Sequence, residues 1–330
     1  MARKQRPVGE HESEILRAIP AACADEAAAV ELIEQLRWGG SPACPRCGDT
    51  NVSQMKDGQG NRNKRFLWRC HGCKRQFSVR IGSIFEDSRI PLRIWCHAFW
   101  RACSSKKGVS ALQISRETGI SYKSALFLMH RIRFAMGEDW STPPKLSGTV
   151  EADETFIGGK PRYRNQRDAG TGKRITGRGS RKTPVMALVE RGGNVRLRKL
   201  ERITAKQLQG AIREMAEPEA VVMTDDERSY VRLRHPFWFR GEHHTVNHRR
   251  REYARGDAHI NTAESVFSLI KRGLVGTFHS VSKKHLPLYL NEFEFRWNTR
   301  NLDDGKRTLK TIRSSDGKRL SYGCHIERHA

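Results

Sequence analysis

No stretch of these 330 residues approaches the run of about 18 consecutive apolar residues that a membrane-spanning helix needs. The amino terminus, MARKQRPVGEHESEILRAIP, starts basic but lacks the apolar stretch and small-residue cleavage site of a secretory signal, so a cytoplasmic location is expected. Acidic residues are in short supply: 36 Asp and Glu face 61 Lys and Arg, a net charge of +25. The surplus runs along the whole chain rather than one amphipathic helix, which disfavours a membrane-surface binder and favours nucleic acid. No internal repeat with a period of about 20–50 residues is present, which excludes a solenoid. A disulfide framework is also missing. Of eight cysteines, four form two CxxC pairs and the others are scattered, the usage of a reducing compartment with a bound metal.

The two pairs are Cys44 with Cys47 and Cys70 with Cys73, an arrangement CxxC-x22-CxxC. Two intervening residues let both thiolates of a knuckle reach one ion. The text between the knuckles is rich in Gly, Asn and Lys and poor in aliphatics, so metal binding is expected to supply the folding energy. A redox dithiol needs only one CxxC on a βαβ unit, and a pair of disulfides needs an oxidising compartment. Four cysteine ligands leave no open position, which makes the expected Zn2+ structural. His71, inside the second knuckle, is the competing ligand. Cys96 and Cys103 fall in an apolar helical stretch and read as packed core thiols.

Residues 24–37 have Val30, Ile33 and Leu36 at helical spacing. Residues 108–135 divide at Gly119 into two short helices with Ser110 and Ser121 as N-caps, a helix-turn-helix pattern. Ala125, Met129 and Ile132 form the inner face of the second helix. Tyr122, Lys123, His130, Arg131 and Arg133 are left to meet DNA, unless the pair is an ordinary helical hairpin. Residues 158–182 hold nine Lys/Arg, one Asp and six Gly, and read as a mobile loop that either tracks phosphates or merely links. The last thirty residues, from Asn301, have few apolar positions and read as a loosely ordered basic tail.

Between these segments lies an α/β pattern. GTVEADETF (148–156) alternates, placing Glu151, Asp153 and Thr155 on one face and Val150 and Ala152 on the other. TPVMALVE (183–190) and NVRLRKL (194–200) are further strands. Thr204 caps a helix with Leu208, Ile212 and Met215 in a stripe, and the chain returns as AVVMT, ending in Asp225. An acid at the carboxyl end of a buried strand is where α/β sites collect. INTAESVFSLIKRG (260–273) is a helix with Gly273 as its stop. Its spacing puts Asn261, Glu264, Ser268 and Lys271 on one face, and Val266, Phe267 and Ile270 on another. Taken singly, a carboxylate in such a position is more often structural than catalytic.

The blocks CPRCG, WRCHGCKRQFSVRIGSIFEDSRIPL, SSKKGVSALQISRETGISYKSA, EADETFIGGK, VVMTDD and HINTAESVFSLIKRGLVGTFHS, in this order, resemble an insertion-sequence transposase of the IS1595 (ISXO2-like) type. The resemblance runs from about Ile33 to Arg300. It implies a zinc ribbon, a helix-turn-helix and a ribonuclease-H-like catalytic domain acting on double-stranded DNA, both the terminal inverted repeats of the element and its target. It also implies a homo-oligomer on DNA. Carried over by motif, the catalytic positions fall on Asp153 and Asp225. The third metal-binding position lies on the helix of Asn261 and Glu264, with a basic residue at Lys271. Glu264 is preferred because an ionised carboxylate holds Mg2+ or Mn2+ better than an amide; Asn261 would then orient a metal-bound water or cap the helix.

Expected from this reading are an N-terminal helical segment (1–38), a zinc ribbon (39–80), a DNA-binding helical segment (90–140), a catalytic domain (145–300) and a tail (301–330). Three acids binding two divalent ions suit in-line phosphodiester displacement, and Lys271 would neutralise a phosphate. Asp226 and Glu154 adjoin the proposed ligands but are set aside, since alternation turns Glu154 to the opposite face. His243, His244, His248 and His259 are either contacts to DNA or metal-bound water, or surface histidines. The rivals are a DNA-binding regulator without enzymatic activity, which leaves the acids unexplained, and a metal nuclease that cuts without joining.

Overall fold

A computed structural model describes residues 10–137, 144–158, 182–226, 230, 240–246, 254–255 and 257–321. Most of the basic loop of 158–182, and His248, therefore lie outside the described residues. Two compact units are present, one formed by residues 1–136 with 301–330 and the other by 137–300. Among the described residues no helix is long and apolar enough to cross a membrane.

The first unit begins with helices α1 (Glu10–Ala24) and α2 (Glu26–Trp38). Asp25 caps α2 by accepting from the Ala28 N–H at 2.9 Å, and Gly39 ends it in the left-handed region that glycine adopts without strain. A three-stranded antiparallel ribbon follows, in the order β1 (Val52–Gln54), β2 (Trp68–Cys70), β3 (Gln76–Phe77). Its small core joins Cys44, Cys70 and Phe77 to Trp38 and Trp68. Glu34 in α2 accepts from Trp68 Nε1 at 2.8 Å, binding the ribbon to that helix.

Helix α3 (Leu92–Ser104) starts after Pro91, which has no side chain able to cap it. Glu26 supplies the cap, its two oxygens accepting from the Leu92 and Arg93 N–H groups at 2.8 and 3.0 Å. Helices α4 (Ala111–Thr118) and α5 (Tyr122–Met136) have the expected punctuation. Ser110 accepts from Gln113 N–H at 3.1 Å, Ser121 from Ser124 N–H at 3.2 Å, and Gly119 is left-handed. Cys96 and Cys103 are buried, as expected of core thiols.

The second unit is a five-stranded mixed sheet between helices. Its strands are β4 (Thr149–Ile157), β5 (Thr183–Glu190), β6 (Val195–Lys199), β7 (Val221–Asp225) and β8 (His243–Val246), in the order β6-β5-β4-β7-β8. The first three pair antiparallel, while β4–β7 and β7–β8 are parallel, giving the ribonuclease-H-like α/β arrangement. Between β6 and β7 the chain forms α6 (Ala205–Met215), capped by Thr204. Leu208, Ile212 and Met215 pack it on Val150, Ala152, Met186 and Leu188. The opposite face, with Val185, Ala187, Val189, Val195 and Leu197, is covered by α7 (Asn261–Gly273) and α8 (Leu286–Asn298). Strand β5 is buried on both faces, hence its continuous apolar text. Two short strands, β9 (Ala254–Arg255) and β10 (Ala258–His259), precede α7.

Along the outer strand β6, α8 provides polar partners. Glu294 accepts from Leu197 N–H at 2.8 Å and pairs with the buried Arg196 at 3.2 Å. Asn298 accepts from Val195 N–H at 2.8 Å and donates to the Val195 carbonyl at 3.2 Å.

Two expectations need correction. Gly273 does not stop α7; it has helical angles, and the chain continues into a wider π turn, Leu274–Phe278. The C-terminal segment is not loose throughout, because Asp304–Arg313 forms helix α9, capped by Asp303 through Lys306 N–H at 2.7 Å. Its few apolar residues suffice because they recur on one face: Leu309 and Ile312 are buried with Thr308 and Thr311, and Arg307 donates to the Cys103 carbonyl at 2.7 Å. Leu309→Ala should therefore cost about 2–5 kcal/mol. Scanning calorimetry should record a midpoint for the first unit lowered by about 2–4 °C per kcal/mol; an unchanged midpoint would mean that α9 adds nothing to the core.

Candidate active site

In the ribbon, both knuckles turn the chain sharply after the second cysteine, at Gly48 (φ 77°) and Lys74 (φ 60°). The turns gather Cys44, Cys47, Cys70 and Cys73 so that all four Sγ atoms lie within 4.8 Å of one another. Cys44 and Cys73 Sγ are 3.8 Å apart, and Cys47 and Cys70 Sγ 3.5 Å. Zinc–sulfur bonds of about 2.3 Å in a tetrahedron set sulfurs about 3.8 Å apart, so this donor set fits a closed structural zinc site. Burial opposes ionisation of Cys44, but the N–H groups of Arg46 and Cys47 bring its thiol down to about 7. His71 points elsewhere, with Nε2 2.9 Å from Ser53 Oγ. Freshly purified reduced protein should contain one zinc per chain by elemental analysis. Cys47→Ser should release it and open residues 40–80 to hydrogen exchange while the rest stays protected; zinc-free, ordered parental protein would exclude this role.

The helix-turn-helix surface is narrower than expected. Tyr122 and Lys123 are exposed at the start of α5. Arg131 is buried, donating to the Ile84 and Glu86 carbonyls at 2.8 and 2.7 Å, with its guanidinium 4.5 Å from the Phe127 ring centre. His130 and Arg133 are buried as well. All three are thus withdrawn from the set facing outward, Arg131 because it is seated on the carbonyls of the segment around Ile84.

The acidic constellation is built by strand register. Glu151 lies opposite Met223 in the parallel β4–β7 pair. Carried two residues beyond that last pair, the register brings Asp153 level with Asp225 on the same sheet face, and Asp225 acts electrostatically on Asp153. Helix α7 covers that face through Ala263, Val266, Phe267 and Ile270, while Asn261, Glu264, Ser268 and Lys271 remain exposed. Burial pushes the Asp153 carboxyl up to about 7. The Glu154 N–H, at 2.8 Å from its Oδ1, and Lys271 act downward, whereas Asp225 and Glu264 add to the rise. Asp225, Glu264 and Lys271 are therefore each close enough to act on Asp153. Carboxylates that repel and crowd in this way suit a divalent cation bound through oxygens. Among the described residues the four cysteines form the one group of three or more His, Cys, Asp or Glu side chains whose ligand atoms converge on a point; the ligand atoms of Asp153, Asp225 and Glu264 do not close to that degree.

Glu154 turns to the other face, toward Tyr230, whose phenol is pushed up by burial and then by that carboxylate. The histidines divide. His243 Nε2 is 2.9 Å from Thr224 Oγ1, and His244 pairs with Glu242 on the surface. His259 Nδ1 lies 3.3 Å from Glu151 Oε1. Asn261 does not cap α7, since Ile260 occupies the N-cap and Glu151 accepts from the Thr262 and Ala263 N–H groups at 2.7 and 3.1 Å. The sequence reading placed Glu151 on the correct face but missed this role; a cap supplied from more than 100 residues away leaves no local spacing signal.

Residues 145–298 match the model of the ISXO2-like transposase domain, and residues 24–76 that of the transposase zinc-ribbon domain. A Halobacterium salinarum relative, an uncharacterized protein in transposable element ISH50, is 32% identical over 293 residues, covering 87% of this chain and 95% of its own. An uncharacterized transposase-like protein of Haemophilus influenzae is 32% identical over 101 residues, covering 31% of this chain and 78% of its own. A pre-cleavage Mos1 transpososome aligns over 96% of this chain and 100% of that one, at 14% identity and a TM-score of 0.25, too low to support an argument. With both domain models in the order ribbon then sheet, and a relative aligned over nearly its whole length, the chain belongs to the ISXO2-like family of insertion-sequence transposases.

Proposed function

We propose that this chain binds the ends of a mobile DNA element and carries out metal-dependent cleavage and strand transfer, with Asp153, Asp225 and Glu264 holding two divalent ions. The observation that supports the reading is the β4–β7 register, which, carried two residues on, aligns Asp153 with Asp225, with Glu264 of α7 within electrostatic reach of Asp153. Mg2+ or Mn2+, when bound, supplies charge stabilisation for the attacking and leaving oxygens of an in-line displacement. The residues do the placing. Two strands fix two acids, and α7 presents the third from its exposed face. Lys271, on that same face and within electrostatic reach of Asp153, provides a positive charge for a phosphate. Asn261 offers a neutral amide one turn before Glu264.

Tyr122 and Lys123 are the proposed DNA contacts of α5, in keeping with recognition helices that read base edges with their first residues. The net charge of +25 supports a polyanionic partner, here the terminal inverted repeats and the target duplex. Two copies on DNA would bring two ends together.

The deciding experiment incubates the protein with the DNA ends that flank its own gene and Mg2+, and resolves cut and joined products. Asp153→Asn and Asp225→Asn should bind DNA at least as well as the parent, each having lost a negative charge, while cleavage falls to background. Glu264→Gln should do the same with the fold intact, and Asn261→Ala should only weaken cutting. The opposite pattern on α7 would give the third position to Asn261. Products that are cut but never joined would mark a nuclease, and binding with no cutting a regulator.

A pH dependence follows from Asp153. Its folded-state pKa, raised from 3.8 to about 7, means that the metal-free fold holds this proton more tightly than the unfolded chain does. The resulting stability is complete below the unfolded value and is lost as pH rises through about 7. Thermal melts of metal-free protein should show this loss, Asp153→Asn should reduce it, and Mg2+ should offset it at the alkaline end. A parental melt that is flat across this window would contradict a crowded acid site.

A further inference from the structure

Glu151 has no part in the chemistry described so far, yet its carboxylate accepts four hydrogen bonds. It is 0% exposed, the third residue of β4, two residues before Asp153 and on the same face. Oε1 accepts from Arg191 Nε at 2.8 Å and Thr262 Oγ1 at 2.9 Å, with His259 Nδ1 at 3.3 Å. Oε2 accepts from the Thr262 and Ala263 N–H groups at 2.7 and 3.1 Å. Arg191 also donates to the His259 carbonyl at 3.0 Å, so the segment entering α7 is held on both sides of Ile260.

A buried ionised carboxylate without partners is costly, and this one is satisfied only while the first turn of α7 stays in place. The bonds fall on the second and third residues of the helix, and Glu264 is the fourth. An N-cap side chain normally accepts from these same amides, but here the N-cap is Ile260 and the acceptor comes from the sheet. Packing of Ala263, Val266 and Phe267 on β4 and β5 supplies contact area without direction, whereas the three hydrogen bonds from Thr262 and Ala263 fix where the helix begins. From these observations we infer that Glu151 is a positioning residue: it ties the start of α7 to β4 and thereby sets Glu264 at its working distance from Asp153 and Asp225. The inference rests on the proposed three-acid metal site. Groups that orient metal ligands from behind typically alter metal affinity when changed, often with the fold retained.

The test titrates Mn2+ alone into the full-length protein, following binding by calorimetry, and in parallel measures the Mn2+ dependence of cleavage. Glu151→Gln keeps the shape but removes the charge, and Thr262→Val removes only the hydroxyl bond. Glu151→Gln should weaken Mn2+ binding about tenfold and shift the half-saturating Mn2+ for cleavage equally, with cutting largely recovered at saturation. Thr262→Val should shift both by about two- to threefold at an unchanged melting temperature, a smaller step on the same scale. Parental Mn2+ affinity in a folded Glu151→Gln protein would overturn the inference. If that variant fails to fold, parental affinity in Thr262→Val would overturn it instead. Asp153→Asn separates the two levels: loss of Mn2+ binding there, with Glu151→Gln unaffected, removes only the positioning role, whereas parental binding in Asp153→Asn removes the metal site and the positioning role with it.

Discussion

One buried carboxylate constrains the second unit more than any apolar contact does. Glu151 sits where water cannot reach it, so its charge is tolerable only if the Arg191 guanidinium and the amides opening α7 are all in position. Hydrophobic burial alone leaves a helix free to slide or rotate by small amounts on a sheet, since it depends on area and hardly on direction. Three directed bonds, from Thr262 and Ala263, remove that freedom at the helix start. The face carrying Asp153 and Asp225 is therefore roofed by a helix whose first turn is set by the same strand that carries Asp153.

The first unit uses the same device independently. Helix α3 follows a proline and cannot cap itself, and Glu26 from α2 receives its first amides while also pairing with Arg80 at 3.4 Å. In both units an acid distant in sequence takes the place of a local cap and fixes where a helix starts. Arg131 is the complementary case. A cation buried against two carbonyls gives the segment around Ile84 a fixed seat on the second half of α5.

Much of this was legible in the sequence because the signals are local. Ser110, Ser121 and Thr204 cap amides three residues on, Gly119 turns the chain left-handed, and alternation along β4 puts Val150 and Ala152 on the face packed by α6 and Glu151 on the other. The burial pattern of α7 follows its spacing of 3 and 4. What escaped depends on partners remote in sequence. Helical spacing on α5 says which residues share a face, not that residues 84–86 will cover Arg131. Asn261 looked like a cap because caps are usually local, and Glu151 displaced it from 110 residues away. The apolar content of residues 301–330 is low, but α9 needs only Leu309 and Ile312 on one side to join a core built by other helices.

The polar partners that α8 offers to β6 have a consequence for how molecules of this chain can meet. An outermost strand ordinarily displays a row of unused amides and carbonyls, a template on which another chain can build. Glu294 and Asn298 are four residues apart on a helix, about 6 Å, and Val195 and Leu197 two apart on a strand, about 6.6 Å, so the helix satisfies alternate positions of the row with side chains instead of backbone. The sheet cannot be extended by strand addition at that margin. Fibril-like growth and intermolecular sheets are blocked there, and any pairing of two copies on that side has to be made by helix surfaces and loops.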